Sequence, residues 1–264
     1  MDKPSLHELL QIKRPLLMGV LNITPDSFHD GGCYFSEQAA IAQLDALIAQ
    51  GADIVDIGGA SSRPGHNPVC PEEEWRRLSL VIDFCQQRPV LFSVDTDQLS
   101  VAEKALAHGA DILNYSGGKL DEEFFQLVAQ YGVPMILMHR QGKEGCHENV
   151  VEEILTFFQQ GIAMGLSLGM KKEQFVLDPG PGFNKDVQEN IALMAAIPQF
   201  LALGYPLLMA FSHKRFIAAL SGEKPGSAPL GNLAAAAFCV DSGAHILRMH
   251  DITPLKRILD RQEM

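Results

Sequence analysis

Polar and charged residues recur in this sequence at one kind of place, the C-terminal end of a short apolar run. Asn22 and Asp26, Asp56, Asp95, Asn114, His139, Asp178, Ser212 and Lys214, and Arg248 and His250 all stand there. Carboxylates only accept hydrogen bonds, lysine and arginine only donate them, and amides do both. Together they can hydrogen-bond a polar ligand and neutralise negative charge. Arg248 and His250 alternate along the last run, so both project to one side. The stretch "LNITPDSFHDGG" shows the excess most clearly. Pro25 with Gly31 and Gly32 would suffice for a turn, and the other polar groups are surplus to it. No Ser-His-Asp order or reactive cysteine motif accompanies the set.

The elements that must position these residues alternate to the end of the chain. The runs "LLMGVLNI", "DIVDIGG", "VLFSVDT", "DILNYSG", "PMILMHR", "QFVLDPG", "PLLMAFS" and "HILRMHD" read as strands buried on both faces. Helical segments lie between them, such as "SEQAAIAQLDALIAQG" and "LSVAEKALAHGA", each with a glycine stop. Residues 148–169 read as a pair of segments interrupted by Gly161 and Gly165. Eight strand–helix alternations in 264 residues fit a (β/α)8 TIM barrel, an α/β fold with one domain over residues 1–264. The runner-up, a doubly wound open sheet, would be favoured by a GxGxxG after the first strand, which the sequence lacks. In a barrel the C-terminal strand ends share one mouth, so the polar residues converge on a single site.

Composition narrows the ligand. A net charge of −11 argues against nucleic acid and acidic membrane surfaces as partners. An anionic ligand must then be held by a few local cations. Five scattered cysteines without a CxxC pair fit buried thiols in a reducing compartment. No apolar stretch is long enough to span a bilayer and the N-terminus is too charged for a signal peptide, so the cytoplasm is the expected location.

The segments "MGVLNITPDSFHDGG", "GADIVDIGGASSRPG", "SVDT", "GADILNYSGG", "LMH", "LDPGPGF", "SHK" and "GAHILRMHD" follow one another, one after each strand. In them the sequence resembles the dihydropteroate synthases, the folate-pathway members of the pterin-binding family, over nearly its whole length. The resemblance implies a TIM barrel, usually a homodimer. It also implies condensation of 4-aminobenzoate with 6-hydroxymethyl-7,8-dihydropterin diphosphate, releasing diphosphate.

By that resemblance Asp178 grips the amino-pyrimidinone edge of the pterin, Asn114 and Asp95 read the neighbouring nitrogens, and Lys214 serves the carbonyl side. The residue types suit the task, because a carboxylate accepts adjacent N–H donors while an amide and an ammonium satisfy ring acceptors. Met138 is expected to lie flat on the ring, with ordinary core packing as the alternative. Arg248, His250, Ser62 and Arg63 are expected at the diphosphate, and Asn22 offers a hard oxygen to Mg²⁺ held largely by substrate oxygens and water. Phe183, Ser212 and Lys214 would border 4-aminobenzoate, its carboxylate meeting Ser212 and the start of the next helix. Catalysis is expected of Arg63, Lys214 and Arg248, by positioning and by neutralising the leaving group. Residues 24–35 and 60–71 read as lids.

Three positions depart from the family pattern. "GGES" is Gly58-Gly59-Ala60-Ser61, "IND" is Leu113-Asn114-Tyr115 and "SRK" is Ser212-His213-Lys214. A histidine can stack as the arginine does, but its charge depends on pH. Two other functions stay open. A pterin-dependent methyltransferase is opposed by the intact "TPDSF" and the R-x-H end; a non-catalytic pterin-binding paralogue is supported by Tyr115 and His213 alone.

Overall fold

The computed structural model describes residues 3–24, 37–60, 69–224 and 227–262. The chain begins with a short helix α1 (Leu6–Leu9), closed by a capping box between Ser5 and Glu8. Then follow β1 (Leu16–Asn22), α2 (Glu37–Ala49), β2 (Ile54–Gly58), α3 (Pro71–Gln86), β3 (Leu91–Thr96), α4 (Leu99–Ala107) and β4 (Ile112–Tyr115). The second half comprises α5 (Glu122–Tyr131), β5 (Met135–Met138), α6 (Val150–Ser167), β6 (Phe175–Asp178), α7 (Val187–Ala195) and α8 (Ile197–Leu201). It ends with β7 (Leu208–Met209), α9 (Arg215–Ser221), α10 (Pro229–Asp241), β8 (Ile246–Met249) and α11 (Thr253–Gln262). Helix starts are fixed where a side chain can take up an orphan N–H: Asp121 caps α5, Asn149 caps α6, and Asp186 forms a capping box with Glu189 on α7.

All eight strands are parallel, in the order β6-β5-β4-β3-β2-β1-β8-β7, and a parallel bridge from Leu177 to Leu207 joins the two ends. The expected eight-stranded barrel is therefore the fold. Two cores follow from the two-residue strand period. Inside the barrel, Leu16, Met18, Ile54, Leu91, Ile112, Ile136, Val176, Leu208 and Ile246 pack together. Leu6 of α1 joins that cluster, with Leu9 and Leu10 against it, and closes the barrel floor. The larger core lies between strands and helices, where alternate residues such as Val55, Phe92, Leu113, Leu137 and Leu177 meet the helical faces.

The same period positions the site. Two residues beyond the inner apolar layer stand Asp56, Ser93, Asn114, Met138, Asp178 and Arg248. Two further on stand Asn22 on β1, Gly58 on β2 and Asp95 on β3, aligned in register as Asn22, Gly58 and Asp95. The inward face is thus apolar at the floor and polar at the mouth.

Three expectations need correction. Gly161 and Gly165 do not split the segment: α6 is one continuous helix. A Cβ on Gly161 would come 2.5 Å from Leu137 Cδ2, and one on Gly165 2.6 Å from Phe175 Cζ. The glycines let α6 approach the barrel closely, against a propensity cost of about 1 kcal/mol each. The seventh strand is only two residues long. Finally, among the described cysteines Cys85 and Cys239 are buried thiols, whereas Cys70 and Cys146 are exposed; Cys33 lies outside the described residues.

Candidate active site

At the mouth, the strand ends meet in a charged network. Arg248 Nε donates to Asp56 Oδ2 at 2.6 Å, and its Nη2 lies 3.0 Å from Asp95 Oδ2. Asp56, fully buried, also accepts from Ser93 Oγ and, at 3.1 Å, from Asn114 Nδ2. One arginine thus satisfies two carboxylates on neighbouring strands, while Nη1 has no partner among the described residues. Burial opposes the Arg248 charge, but Asp56 and Asp95 outweigh it and raise its pKa. Asp95 is pushed up by burial and by Asp56, with Arg248 pulling the other way.

Asp178 closes β6 and is 3% exposed. Gly180 N–H donates to its Oδ1 at 2.8 Å, in a turn that φ of 65° at Gly180 permits. A Cβ at Gly180 would lie 2.0 Å from the His139 carbonyl oxygen. Burial raises Asp178 to about 6, against the Gly180 hydrogen bond and the attraction of Lys214. Lys214 is lowered to about 7 by burial and then by repulsion from Arg248, with Asp178 partly offsetting both. Its Nζ sits 3.6 Å from the centre of the Phe183 ring, and the Arg140 guanidinium lies 5.3 Å from the same ring. Met138 is buried beside Asp178 in register and packs near Gly180.

Ser212 and His250 form the last group. The Ser212 hydroxyl accepts from His250 N–H at 3.2 Å and lies 3.1 Å from His250 Nδ1. His213, with φ of 62°, lays its ring parallel on His250, centroids 4.3 Å apart, and its N–H donates to Asn232 Oδ1. The histidine in place of the arginine therefore lies over the residue expected at the diphosphate. Tyr115 points the other way. It is buried in the outer core, 4.2 Å from the Phe124 ring of α5, so this departure lies outside the mouth. Asn22 sits beside Gly58: a Cβ there would lie 3.3 Å from Asn22 Oδ1. Asp26, Ser62 and Arg63 fall outside the described residues, as do most of the expected lids.

Geometry gives roles that the sequence reading did not, and it removes His139 from the strand ends expected to converge on the mouth. Asp56 was visible only as one more polar strand end; its alternation with Gly58 toward the mouth is the signal that places it inside. Lys185 is buried behind the β6–α7 turn, donating to three carbonyls, and nothing in its spacing reveals this. His139 is 1% exposed and lowered to about 3 by burial, then by Lys185; it stands outside the barrel against Phe157.

Comparison with known proteins gives a consistent result. Residues 18–250 match the family model described as pterin binding enzyme. A dihydropteroate synthase from Streptococcus pyogenes is 38% identical over 92% of each chain. A probable bifunctional folylpolyglutamate synthase/dihydropteroate synthase from Haloferax volcanii is 39% identical over 89% of this chain, which spans 29% of that longer protein. The solved Xanthomonas albilineans dihydropteroate synthase with 4-aminobenzoic acid superposes with a TM-score of 0.89 at 36% identity, covering 95% of this chain and 94% of that one. The match takes in every strand and the residues of the mouth, and on it the chain belongs to the dihydropteroate synthase family of pterin-binding enzymes.

Proposed function

We propose that this protein condenses 6-hydroxymethyl-7,8-dihydropterin diphosphate with 4-aminobenzoate, forming 7,8-dihydropteroate and diphosphate. The observation that carries the reading is the buried acceptor Asp178, facing one mouth with Asn114, Lys214 and the Arg248 network. Asp178 takes the pterin's adjacent N–H donors, and Asn114 and Lys214 answer its acceptors. Arg248, with two nitrogens committed to carboxylates, keeps a fixed plane and turns Nη1 to the substrate. His250, Ser62 and Arg63 serve the diphosphate, and Phe183 with Ser212 borders the aryl amine. Diphosphate leaves from the methylene, the dihydropterin delocalises the positive charge, and the amine attacks. The chain positions the partners and neutralises the leaving group.

The donors at the mouth suit Mg²⁺. Among the described residues no three His, Cys, Asp or Glu side chains cluster as a cage, whereas Asn22 presents one hard oxygen. That fits a cation held chiefly by substrate phosphates and water. When bound, Mg²⁺ offsets charge on the departing diphosphate. The test is turnover with dihydropterin diphosphate, 4-aminobenzoate and Mg²⁺. Absence of dihydropteroate would overturn the activity, and full turnover in excess chelator would overturn the metal role.

The titrating groups set a pH window. Asp178, raised to about 6, loses its acceptor as pH falls through that value. Lys214, lowered to about 7, loses its charge as pH rises through that value. The profile of kcat/KM for the pterin substrate is therefore expected to be bell-shaped, with limbs near these values. Bound substrate favours both charged forms, so the limbs of kcat lie further apart. A kcat/KM profile flat from about pH 5 to 9 would remove both residues from the site.

We assign the assembly as a homodimer and the location as cytoplasmic. Leu220 on α9 and Leu230 and Phe238 on α10 are exposed, Leu230 at 74%, on two helices that pack together. Leu230→Glu is expected to shift sedimentation from dimer to monomer; a monomeric unmodified protein would refute the assignment. The described cysteines are all unpaired, in keeping with a reducing compartment.

A further inference from the structure

The turn between β6 and α7 encloses a cation that this chemistry leaves unused. Lys185 is 4% exposed, and its Nζ donates to the carbonyls of Phe183 at 3.0 Å, Gly180 at 3.1 Å and His139 at 3.3 Å. An ammonium has three N–H donors and no acceptor, so the three carbonyls saturate it. They belong to two different loops, those after β5 and β6. The backbone is shaped for this: Gly180, Gly182 and Asn184 have φ of 65°, 75° and 50°, a left-handed residue at every second position. Asn190 of α7, fully buried, ties the same turn down. It accepts from Gly182 N–H and donates to the carbonyls of Lys185 and Asp186.

We propose that Lys185 is a positioning residue for the aryl-amine pocket, its ammonium drawing the β6–α7 turn into the one shape that presents the Phe183 ring to Lys214. The inference rests on the condensation reading above. Burial lowers Lys185 to about 8, while Asp178, Glu189 and Glu153 attract its charge, so it is mostly protonated at neutral pH. Phe183 is bonded to Lys185 through its own carbonyl and carries the cation contact on its ring. Asp178 is placed by β6 itself and by Gly180 N–H. Loss of the ammonium should therefore disturb the amine side far more than the pterin side.

The experiment compares Lys185→Met and Lys185→Arg with the unmodified protein at pH 7. Steady-state kinetics give KM for 4-aminobenzoate, and calorimetry gives Kd for the pterin. Lys185→Met is expected to raise that KM at least tenfold while the pterin Kd moves less than threefold. Lys185→Arg keeps a charged donor and is expected to recover part of the loss. If Lys185→Met does not fold, the same split is read from Lys185→Arg alone. Equal losses on both sides, or unchanged KM, would overturn the proposal. Absence of turnover in the unmodified protein is a separate outcome, which refutes the condensation reading and with it the pocket assignment.

Discussion

Arg248→Ala is expected to lower stability by about 3–5 kcal/mol and to reduce kcat/KM by about a hundredfold or more. The arginine is only 16% exposed at its side chain and is the positive partner of Asp56, which is wholly buried, and of Asp95. Its removal leaves two carboxylates facing each other in a site where burial already penalises charge. For a chain of this size the melting temperature should fall by roughly 6–20 °C. A double variant, Arg248→Met with Asp95→Asn, should regain part of that stability without regaining activity, because it removes one stranded charge but restores no donor. Thermal melts of the three proteins decide the matter. A single variant as stable as the unmodified protein would show that the network contributes nothing to the fold.

Asp178→Asn should have the opposite balance, a large functional loss with little structural one. The amide oxygen can still accept from Gly180 N–H, so the turn survives. Its NH₂, however, replaces an acceptor where the pterin brings donors. Leaving buried donors unpaired costs about 1–3 kcal/mol, so pterin affinity should fall about tenfold or more. Because burial raises Asp178 from its usual range to about 6, its ionised form at neutral pH works against stability. That contribution is favourable below pH about 4 and lost as pH rises through about 6. A neutral amide removes the penalty at pH 7, so the melting temperature of the ligand-free variant should hold or rise. Unchanged pterin binding by calorimetry would take Asp178 out of the site.

Much of this was legible in the residues themselves, for a physical reason. A barrel strand exposes nothing but core on its outer face, so its inner face alone changes from apolar to polar. Leu16 and Met18 leading to Asn22, or Ile54 leading to Asp56, record that change within one run. Three-dimensional partnerships were not legible. Asp56 and Arg248 are 192 residues apart, and only closure of the barrel through β1 and β8 brings them together. The continuity of α6 depends on Leu137 and Phe175, which lie on strands the glycines touch only after folding. Lys185 reads as an ordinary surface lysine until the left-handed residues at 180, 182 and 184 gather carbonyls around it. Tyr115 could be judged a departure from the family, but its harmless outward direction follows from its parity with Leu113 on β4.

The plug that α1 makes at the barrel floor has a kinetic side. With Leu6, Leu9 and Leu10 set into the lower end, the described residues leave entry to the strands' C-terminal side. Asp178 and Asn114 are the more deeply buried, at 3% and 5% exposure, while Ser212 is 9% exposed and Phe183 half-buried. A guest seated at the threshold bars the way to the deeper berth. On the condensation reading the pterin is therefore expected to bind before the aryl amine, with the joined product leaving by the same gate; equal 4-aminobenzoate affinity with and without pterin, by calorimetry, would refute that order.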